Sequence, residues 1–441
     1  MLLRNFNIMN SVIKEYKDDN RKGYILVILF MIFLTLPVSF NIGPARLTPY
    51  RILLILLTIP CLISIFSKPV GKLYFFDIAL MLLAIWGGIT LIYVHGLEAI
   101  EPAVILFLEM YGAYLLGRCY IRNAYDFHRV MFSLFCIVVA LIPFALYENL
   151  TGNAIALKLF DPVFTVFREI EKQPRWGLDR AQGPFEHPIL FGVFCSVSFA
   201  FTFYVVFYGR SFFYRCFQSF IVSFATVLSL SSGPITGLFG QAGLIGWGLV
   251  TKGVEGRWHI LVLMIAGAWI AVDLYSNRSP PAVFISRLAF NQDTAYMRLL
   301  IWEYGSNAAL AYPIFGNGFN DWDWARPDFM TSTIDMFFLA LAIRHGIIFS
   351  GGLLILFITI GLKLMYKKID DDFVSACRMA CVVCFCGYFL TAWTVLFWNA
   401  NFVLFFLMIG SSIWILGHEN PKFKDESHTE MKTKKIKTIL G

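Results

Sequence analysis

Charged residues are scarce in this 441-residue chain, at 15% of the total against the roughly 25% that soluble domains carry. Hydrophobic residues make up 58% and the mean hydropathy is +0.68, so too little charge is available to cover a water-facing surface of this size. The shortage excludes an ordinary soluble enzyme. The net charge of +7 comes from basic residues in short segments between apolar runs, so it indicates membrane topology rather than nucleic-acid binding.

Cysteine is missing from the two longest polar segments, residues 149–187 and 276–333. A disulfide framework is therefore excluded in both of them. Four of the nine cysteines lie between Cys377 and Cys386, in an apolar run with no histidine or carboxylate among its ten residues. We interpret these four as small packing residues in a helix rather than as metal ligands.

Apolar runs of about 20 residues recur along the whole chain, and each is long enough to cross a bilayer core as a helix. A helix also satisfies its own backbone donors and acceptors, which hydrocarbon requires. The sequence predicts an all-α, polytopic membrane protein, and we expect the run near 334 to break around Arg344–Gly346. About twelve transmembrane helices are expected, near residues 24–41, 52–66, 74–94, 102–117, 130–148, 188–208, 216–231, 235–251, 258–275, 334–362, 379–398 and 401–416.

Lysine and arginine set the orientation of these helices, since they concentrate in cytoplasmic segments. If both termini are cytoplasmic, two-thirds of the 36 basic residues lie on the cytoplasmic side, although the outer segments are longer. We therefore expect a cytoplasmic segment 1–23, a transmembrane domain 24–416 and a basic cytoplasmic tail 417–441. The long segments 149–187 and 276–333 then form loops on the outer face.

The second of these loops contains "TAYMRLLIWEYGSNAALA", which predicts a helix lying at the outer membrane interface. Arg298 and Trp302 are four residues apart, so they share one face of that helix. Pro313 is expected to end it. Gly316 and Gly318 then permit tight turns or a close approach of backbones.

The first loop ends in "RWGLDRAQGPFEHP", which places Arg175, Arg180, Glu186 and His187 just before an apolar run, at the depth of lipid headgroups. A residue before proline favours extended geometry, so we expect His187 in the loop rather than in the helix. Further along, "SLSSGP" joins two apolar runs. It predicts either a tight turn that lines a cavity or a simple close contact of helices.

The ordered set "RLLIW", "PIFGNG", "DMFFL" and "RHGI" resembles the O-antigen ligase and Wzy-type polysaccharide polymerase superfamily. "SLSSGP" and "RAQGPFEHP" resemble two further elements of that group, so the likeness extends over about residues 180–352. Ligases of the group typically carry a His-Asn pair where this sequence has Asp335–Met336. That departure is closer to the polymerase-like members that act on exopolysaccharides and capsules.

The resemblance implies a GT-C-type glycosyltransferase of the bacterial inner membrane that needs no metal and no cofactor. It would transfer a growing glycan from undecaprenyl pyrophosphate to a sugar hydroxyl of an incoming lipid-linked repeat, at the periplasmic face. The near alternative is an O-antigen ligase acting on lipid A–core, and the alternative of another class is a lipid-linked oligosaccharide flippase or transporter. The implied partners are membrane lipids, a chain-length regulator and a flippase, and no nucleic acid.

The implied catalytic residues are Arg298, Arg180 and Asp335. A guanidinium stays protonated and donates paired hydrogen bonds to phosphate oxygens, so the arginines would hold the pyrophosphate; a loop salt bridge or a headgroup contact is their alternative role. Asp335 would be the base for the acceptor hydroxyl, or would cap the next helix together with Ser332. The other expected substrate contacts are Arg344, Glu186, His187, Trp302, Gly316, Gly318, Asp321, Trp322, Trp324 and Arg326.

Two of these contacts have a specific chemical reason. Trp322 and Trp324 offer flat apolar faces on which sugar rings can stack, and Asp321 offers acceptors for sugar hydroxyls. The alternative for the tryptophans is a belt at the membrane interface. Arg344 would be a second pyrophosphate ligand or, if its helix breaks at Gly346, would cap the carbonyls that the break exposes.

Overall fold

The computed structural model describes residues 23–419, apart from 43–44, 68–69, 171, 278, 281, 284–291 and 331. Most of the expected cytoplasmic segment 1–23 and of the tail 417–441 therefore lies outside the described residues. The described chain is mostly helical. Its helices are α1 (Tyr24–Leu34), α2 (Pro49–Phe66), α3 (Phe75–His95), α4 (Ile100–Phe107), α5 (Ala113–Tyr120), α6 (Ala124–Thr151), α7 (Ile155–Lys158), α8 (Pro188–Phe201), α9 (Phe212–Leu228), α10 (Ser232–Val250), α11 (Arg257–Tyr275), α12 (Gln292–Ala311), α13 (Phe337–Tyr366), α14 (Asp372–Ala392) and α15 (Ala400–Gly417).

A small antiparallel sheet replaces the end of the first predicted span. Helix α1 ends at Leu34, and Pro37, which has no backbone N–H, precedes strand β1 (Val38–Ile42). Strand β1 pairs on one side with β2 (Ala45–Leu47) and on the other with β3 (Thr165–Val166). The expected helix over 24–41 was therefore wrong beyond Leu34, and the sheet ties the connection between α1 and α2 to the long loop that follows α6.

Eight helical runs of the described chain are long and apolar enough to cross a membrane, by length and composition. This agrees with an all-α membrane protein, and short π-helical turns continue α4 into α5 and extend α8. The eight runs are Pro49–Phe66, Phe75–Tyr120, Ala124–Thr151, Pro188–Val206, Arg257–Tyr275, Phe337–Tyr366, Asp372–Ala392 and Ala400–Gly417.

The expected count of about twelve spans is not confirmed, and each difference has a physical reason. The run Phe75–Tyr120 contains two of the predicted spans, joined by a short 3₁₀ turn at Gly96–Ala99. Helices α1 and α9 are apolar but have only 11 and 17 residues. Helix α10 has 19 residues, but six glycines and Gln241 dilute its hydrophobicity.

Helices α5 and α15 show how closely the bundle packs. A Cβ atom on Gly410 would collide with the carbonyl oxygen of Tyr114, and one on Gly117 would lie 2.6 Å from that of Leu407. Glycine at both contacts lets the two backbones touch, as is typical of helix pairs in membranes. Around them a continuous core of buried aliphatic and aromatic side chains runs through the bundle.

Helix α13 carries the expected break. Gly346 has φ 86° and ψ 162°, which is outside helical geometry and essentially restricted to glycine. Two long loops flank this end of the bundle: loop A (residues 152–187), between α6 and α8, and loop B (residues 276–336), between α11 and α13. Helix α12 lies within loop B, as the sequence predicts.

Candidate functional site

The end of α6 holds the last part of loop A in place. One carboxylate oxygen of Glu148 accepts the backbone N–H of Gln182 at 2.8 Å, and the other accepts that of Gly183 at 2.9 Å. The amide of Asn149 donates to the carbonyl of Leu228 at 2.9 Å and also to the carbonyl of Asp179. These bonds fix the backbone on both sides of Arg180.

The "SLSSGP" turn between α9 and α10 receives two arginines of loop A. Arg175 Nη1 donates to the carbonyl of Leu230 at 2.6 Å, and Arg180 Nη2 donates to Ser231 Oγ at 2.8 Å. The turn therefore does more than bring two helices together. It positions the guanidinium groups that the sequence singles out.

Arg298 on α12 is the most unusual charge in loop B. Its side chain is only 4% exposed, yet its Nε and Nη1 groups have no hydrogen-bond partner among the described residues. Burial lowers the pKa of Arg298, the charge of Asp335 raises it, and the charge of Arg175 lowers it further. Arg298 is therefore close to charges from loop A and from the start of α13.

Asp335 lies in loop B, immediately before α13. The N-cap of α13 is Met336, with no side-chain capping bond, so the alternative that Asp335 caps this helix with Ser332 is wrong. Burial raises the pKa of Asp335, and the positive charges of Arg298 and Lys172 oppose that rise. Asp335 therefore lies between an arginine of loop B and a lysine of loop A.

Four cations act electrostatically on one another or on Asp335. We call these four residues, Lys172, Arg175, Arg180 and Arg298, the cation cluster. Burial and the neighbouring Arg175 lower the pKa of Arg180 to about 10, which still leaves it protonated at neutral pH. Its Nε is buried with no partner in the part of the chain that is described. Asp335 is the carboxylate whose charge acts on both Lys172 and Arg298.

His187 faces the same cluster as a neutral side chain. Burial, followed by the charges of Lys172, Arg180 and Arg175, lowers its pKa to about 3. Its Nδ1 accepts the backbone N–H of Ile189 at 3.0 Å, where it caps α8. The single proton of the neutral ring is therefore on Nε2, and His187 acts as a hydrogen-bond donor. The expectation that it precedes the helix is confirmed.

Glu186 is not brought to the cation cluster. The charges that act on Glu186 include those of Arg46 and Glu109, whereas those of Lys172, Arg180 and Arg175 act on its neighbour His187. Asn399 Nδ2 donates to Glu186 Oε1 at 2.5 Å. Burial raises the pKa of Glu186, which the Asn399 bond and the charge of Arg46 oppose.

A cavity of about 530 Å³ opens beside the cluster. Lys172, Arg180, Gln182 and Glu148 line it, together with Glu169 and Asp179. Arg298 and Asp335 are not among its lining residues. The cavity therefore approaches the cluster from the side of loop A.

Backbone strain concentrates around this site. The described chain has three residues other than glycine with positive φ: Trp176 at 54°, Leu230 at 45° and Asn399 at 47°. Trp176 follows Arg175, the carbonyl of Leu230 accepts from Arg175, and Asn399 binds Glu186. Such conformations cost about 1–3 kcal/mol each and persist mainly at functional sites.

The "PIFGNG" segment packs against the break in α13. The N–H groups of Asn317 and Gly318 donate to the carbonyls of Ile343 and Arg344, at 2.7 and 3.0 Å. A Cβ on Gly316 would collide with the Arg344 backbone. The exposed carbonyls are thus capped by loop B rather than by the Arg344 side chain, which is exposed.

The tryptophans of loop B have different surroundings. Trp322 is 3% exposed and donates its Nε1–H to the carbonyl of Ser332 at 2.8 Å, so its ring faces are not open to a sugar. Trp324 is 58% exposed and its ring meets Tyr312 edge-on. Trp302 packs against Trp393, with 5.6 Å between ring centroids.

Asp321 and Arg326 pair within loop B itself. Arg326 Nη2 lies 3.7 Å from Asp321 Oδ1, and its Nη1 donates to the carbonyl of Met330 at 2.5 Å. These bonds stabilise the turn around Trp322. Roles of Gly316, Gly318, Asp321, Trp324, Arg326 and Arg344 in binding substrate stay predictions.

Sequence reasoning missed Glu148 and Lys172. Glu148 had a signal, since a carboxylate at the end of an apolar run is costly unless it has a specific partner. Lys172 had none, because it is one of several charged residues in a polar loop. In comparisons with known proteins, the chain matches no family model and no curated sequence. No group of three His, Cys, Asp or Glu residues within the described ranges could hold a metal ion.

Proposed function

We propose that this protein polymerises lipid-linked polysaccharide repeats. It transfers a growing glycan from undecaprenyl pyrophosphate to a sugar hydroxyl of an incoming lipid-linked repeat. The observation that carries the proposal is Arg298: a buried guanidinium with two unpartnered N–H groups among the described residues, where the charges of Asp335 and Arg175 act on it. Leaving such donors unpaired is costly, and an anionic ligand with several oxygens would satisfy them.

The chemistry follows from where charge develops. The bond between the anomeric carbon and the pyrophosphate oxygen breaks, and its electron pair stays on that oxygen. Arg298 and Arg180 stabilise the growing negative charge with charge-assisted hydrogen bonds. The acceptor hydroxyl oxygen forms the new bond to the anomeric carbon, and its proton passes to the carboxylate of Asp335.

The surroundings of Asp335 suit a base at this step. Burial raises its pKa and so makes the carboxylate a stronger proton acceptor, while the charges of Arg298 and Lys172 favour its ionised form. The neutral His187 contributes an Nε2–H donor on the same side, and cannot take the proton through Nδ1, which already accepts from Ile189.

An apolar groove supports a lipid-linked substrate. Helix α11 has no buried residue, and a groove of about 770 Å³ separates it from α10, α13 and α14. Phe389, at the edge of the groove, contacts Trp393, which contacts Trp302. Trp302 lies one helical turn from Arg298, so a polyisoprenyl chain in the groove would end below the cation cluster.

The basic residues of the sequence support an orientation with both termini in the cytoplasm of a bacterium and with loops A and B in the periplasm. In that setting, a flippase would deliver the repeats and a chain-length regulator would limit the product.

The proposal is tested with purified protein and a lipid-linked repeat. The wild type is expected to produce a ladder of longer glycans. Arg298→Ala and Arg180→Ala should each slow extension by about 10²–10³-fold, since each removes donors from the developing charge. Arg298→Lys keeps the charge but loses the planar fork, so it should rescue only partly.

The matched control is Lys158→Ala in loop A, an exposed cation that bonds Asn153 and Glu169. It should extend glycans at the wild-type rate. Full activity of Arg298→Ala would remove the proposed site. A single transfer to lipid A–core would identify a ligase instead, and movement of unchanged lipid across a vesicle would identify a flippase.

A further inference from the structure

A second cavity, of about 470 Å³, adjoins the one beside the cation cluster. Its wall is formed by strand β3 and the residues after it, and Arg46 and Glu186 line it. Ile170 lines both this cavity and the one beside Lys172 and Arg180. We call it the sheet cavity, because β1, β2 and β3 contribute to its edge.

Glu186 and His187 are adjacent in the chain but lie in different electrostatic environments. The charges that act on His187 are those of Lys172, Arg180 and Arg175, whereas those that act on Glu186 include Arg46 and Glu109. Because Ile170 lines both cavities, a group bound in the sheet cavity would be a neighbour of one bound beside Lys172 and Arg180.

The charges around the sheet cavity favour a different ligand from those of the cluster. Glu186, Arg46 and Arg168 line it, and the charge of Glu109, whose Oε1 lies 2.7 Å from Arg51 Nε, also acts on Glu186. The carboxylate on the wall disfavours a second phosphate, because like charges placed together are costly. A neutral ligand with several hydroxyl groups would instead donate to the carboxylate and accept from the guanidinium.

Two features prepare this cavity for a sugar. The guanidinium of Arg46 lies 5.1 Å from the ring centroid of Phe167, which makes a flat wall with an apolar part and a donor part. Glu186 is held by Asn399, whose own backbone is strained at φ 47°. Pre-organised polar groups on a flat surface are what orient a hydroxyl-rich ligand.

We propose that the sheet cavity binds the acceptor, the first sugars of the incoming lipid-linked repeat, and that Glu186 and Arg46 are positioning residues for it. This inference rests on the proposed function and assigns its second substrate to a separate site. The donor's pyrophosphate occupies the cation cluster, and the acceptor hydroxyl approaches past Glu186–His187.

Two measurements on the full chain separate the sites. The first is the rate of extension against the concentration of single-repeat lipid at saturating long-chain donor. Glu186→Gln and Arg46→Ala should each raise the acceptor KM about five- to tenfold, with a smaller change in kcat. The second is the Kd of undecaprenyl pyrophosphate without sugar, which these variants should leave unchanged and which Arg298→Ala should weaken.

The matched control is Glu98→Gln, an exposed carboxylate on the same end of the bundle that does not line the cavity. Its acceptor KM should equal that of the wild type. If both Glu186→Gln and Arg46→Ala form a ladder with an unchanged acceptor KM, this inference is overturned while the proposed function stands. If the wild type forms no ladder, the proposed function fails and this inference fails with it.

Discussion

At the scale of single residues, the site is defined by groups that would be costly without a ligand. A buried guanidinium whose N–H donors are unpaired lowers the free energy of unfolding, and a shorter, uncharged side chain at the same position would avoid this loss. Arg298 has such unpaired donors, and Arg180 has a buried Nε without a partner within the described chain. Both residues were predicted from the sequence, because the resemblance implies a pyrophosphate and the guanidinium fork suits its oxygens.

His187 gives a residue-scale prediction about pH. Its folded-state pKa of about 3 is below the ordinary value of about 6.5. Between these two pH values the histidine is protonated in the unfolded chain and neutral in the folded chain. Its contribution to stability is therefore lost as pH falls from above 6.5 towards 3. An asparagine side chain at this position would keep the helix cap without titrating, so His187→Asn should lose less thermal stability between pH 7.5 and pH 5 than the wild type.

The measurement is the unfolding midpoint in detergent at both pH values. His259→Asn is the control, because it makes the same substitution at an exposed histidine on α11. Equal midpoint losses in His187→Asn and wild type would show that His187 is not held neutral.

At the scale of elements, loop B and the broken helix α13 form one unit. The backbone of Gly316 and Gly318 touches Arg344–Gly346, and Ile347 N–H donates to the carbonyl of Pro313 at 2.7 Å. The glycines of "PIFGNG" were predicted to permit close approach, and they do. Their partner could not be predicted, because it lies about 30 residues further along the chain.

Gly346→Ala tests this unit. The substitution places a Cβ at a φ of 86°, where it would collide with the carbonyl oxygen of Ile314, so both strain and a backbone clash result. We expect a loss of roughly 1–3 kcal/mol or more, seen as a lower unfolding midpoint, and reduced glycan extension because loop B carries Arg298.

Gly351→Ala is the matched control in the same helix. A Cβ there meets nothing within 4 Å, and alanine is the better helix former. Its midpoint should equal or exceed that of the wild type. If Gly346→Ala were equally stable, the loop would not depend on this helix break.

Other elements show why pattern alone falls short. Helix α12 was predicted because "TAYMRLLIWEYGSNAALA" has good helix formers and no proline. Strand β1 was missed because its pairing with β3 joins Ser39 to Thr165, and no local pattern specifies a partner that distant. The alternative in which Asp335 and Ser332 cap α13 was wrong for a local reason, since α13 begins only at Phe337.

At the scale of the whole molecule, composition settled the class of fold and left the count of spans open. Length and hydropathy cannot distinguish one long bent run, such as Phe75–Tyr120, from two separate spans. Composition cannot predict that loops A and B come together. Their approach brings Lys172 and Arg180 near Arg298 and Asp335, and it depends on how the helices that carry the loops are packed.

A structure of the protein with undecaprenyl pyrophosphate bound would show whether Arg298 and Arg180 hold the diphosphate. We expect phosphate oxygens about 2.8 Å from the guanidinium nitrogens of Arg298 and Arg180, with the lipid chain descending beside Trp302. A diphosphate bound elsewhere on the molecule, with these two arginines still unoccupied, would contradict the account.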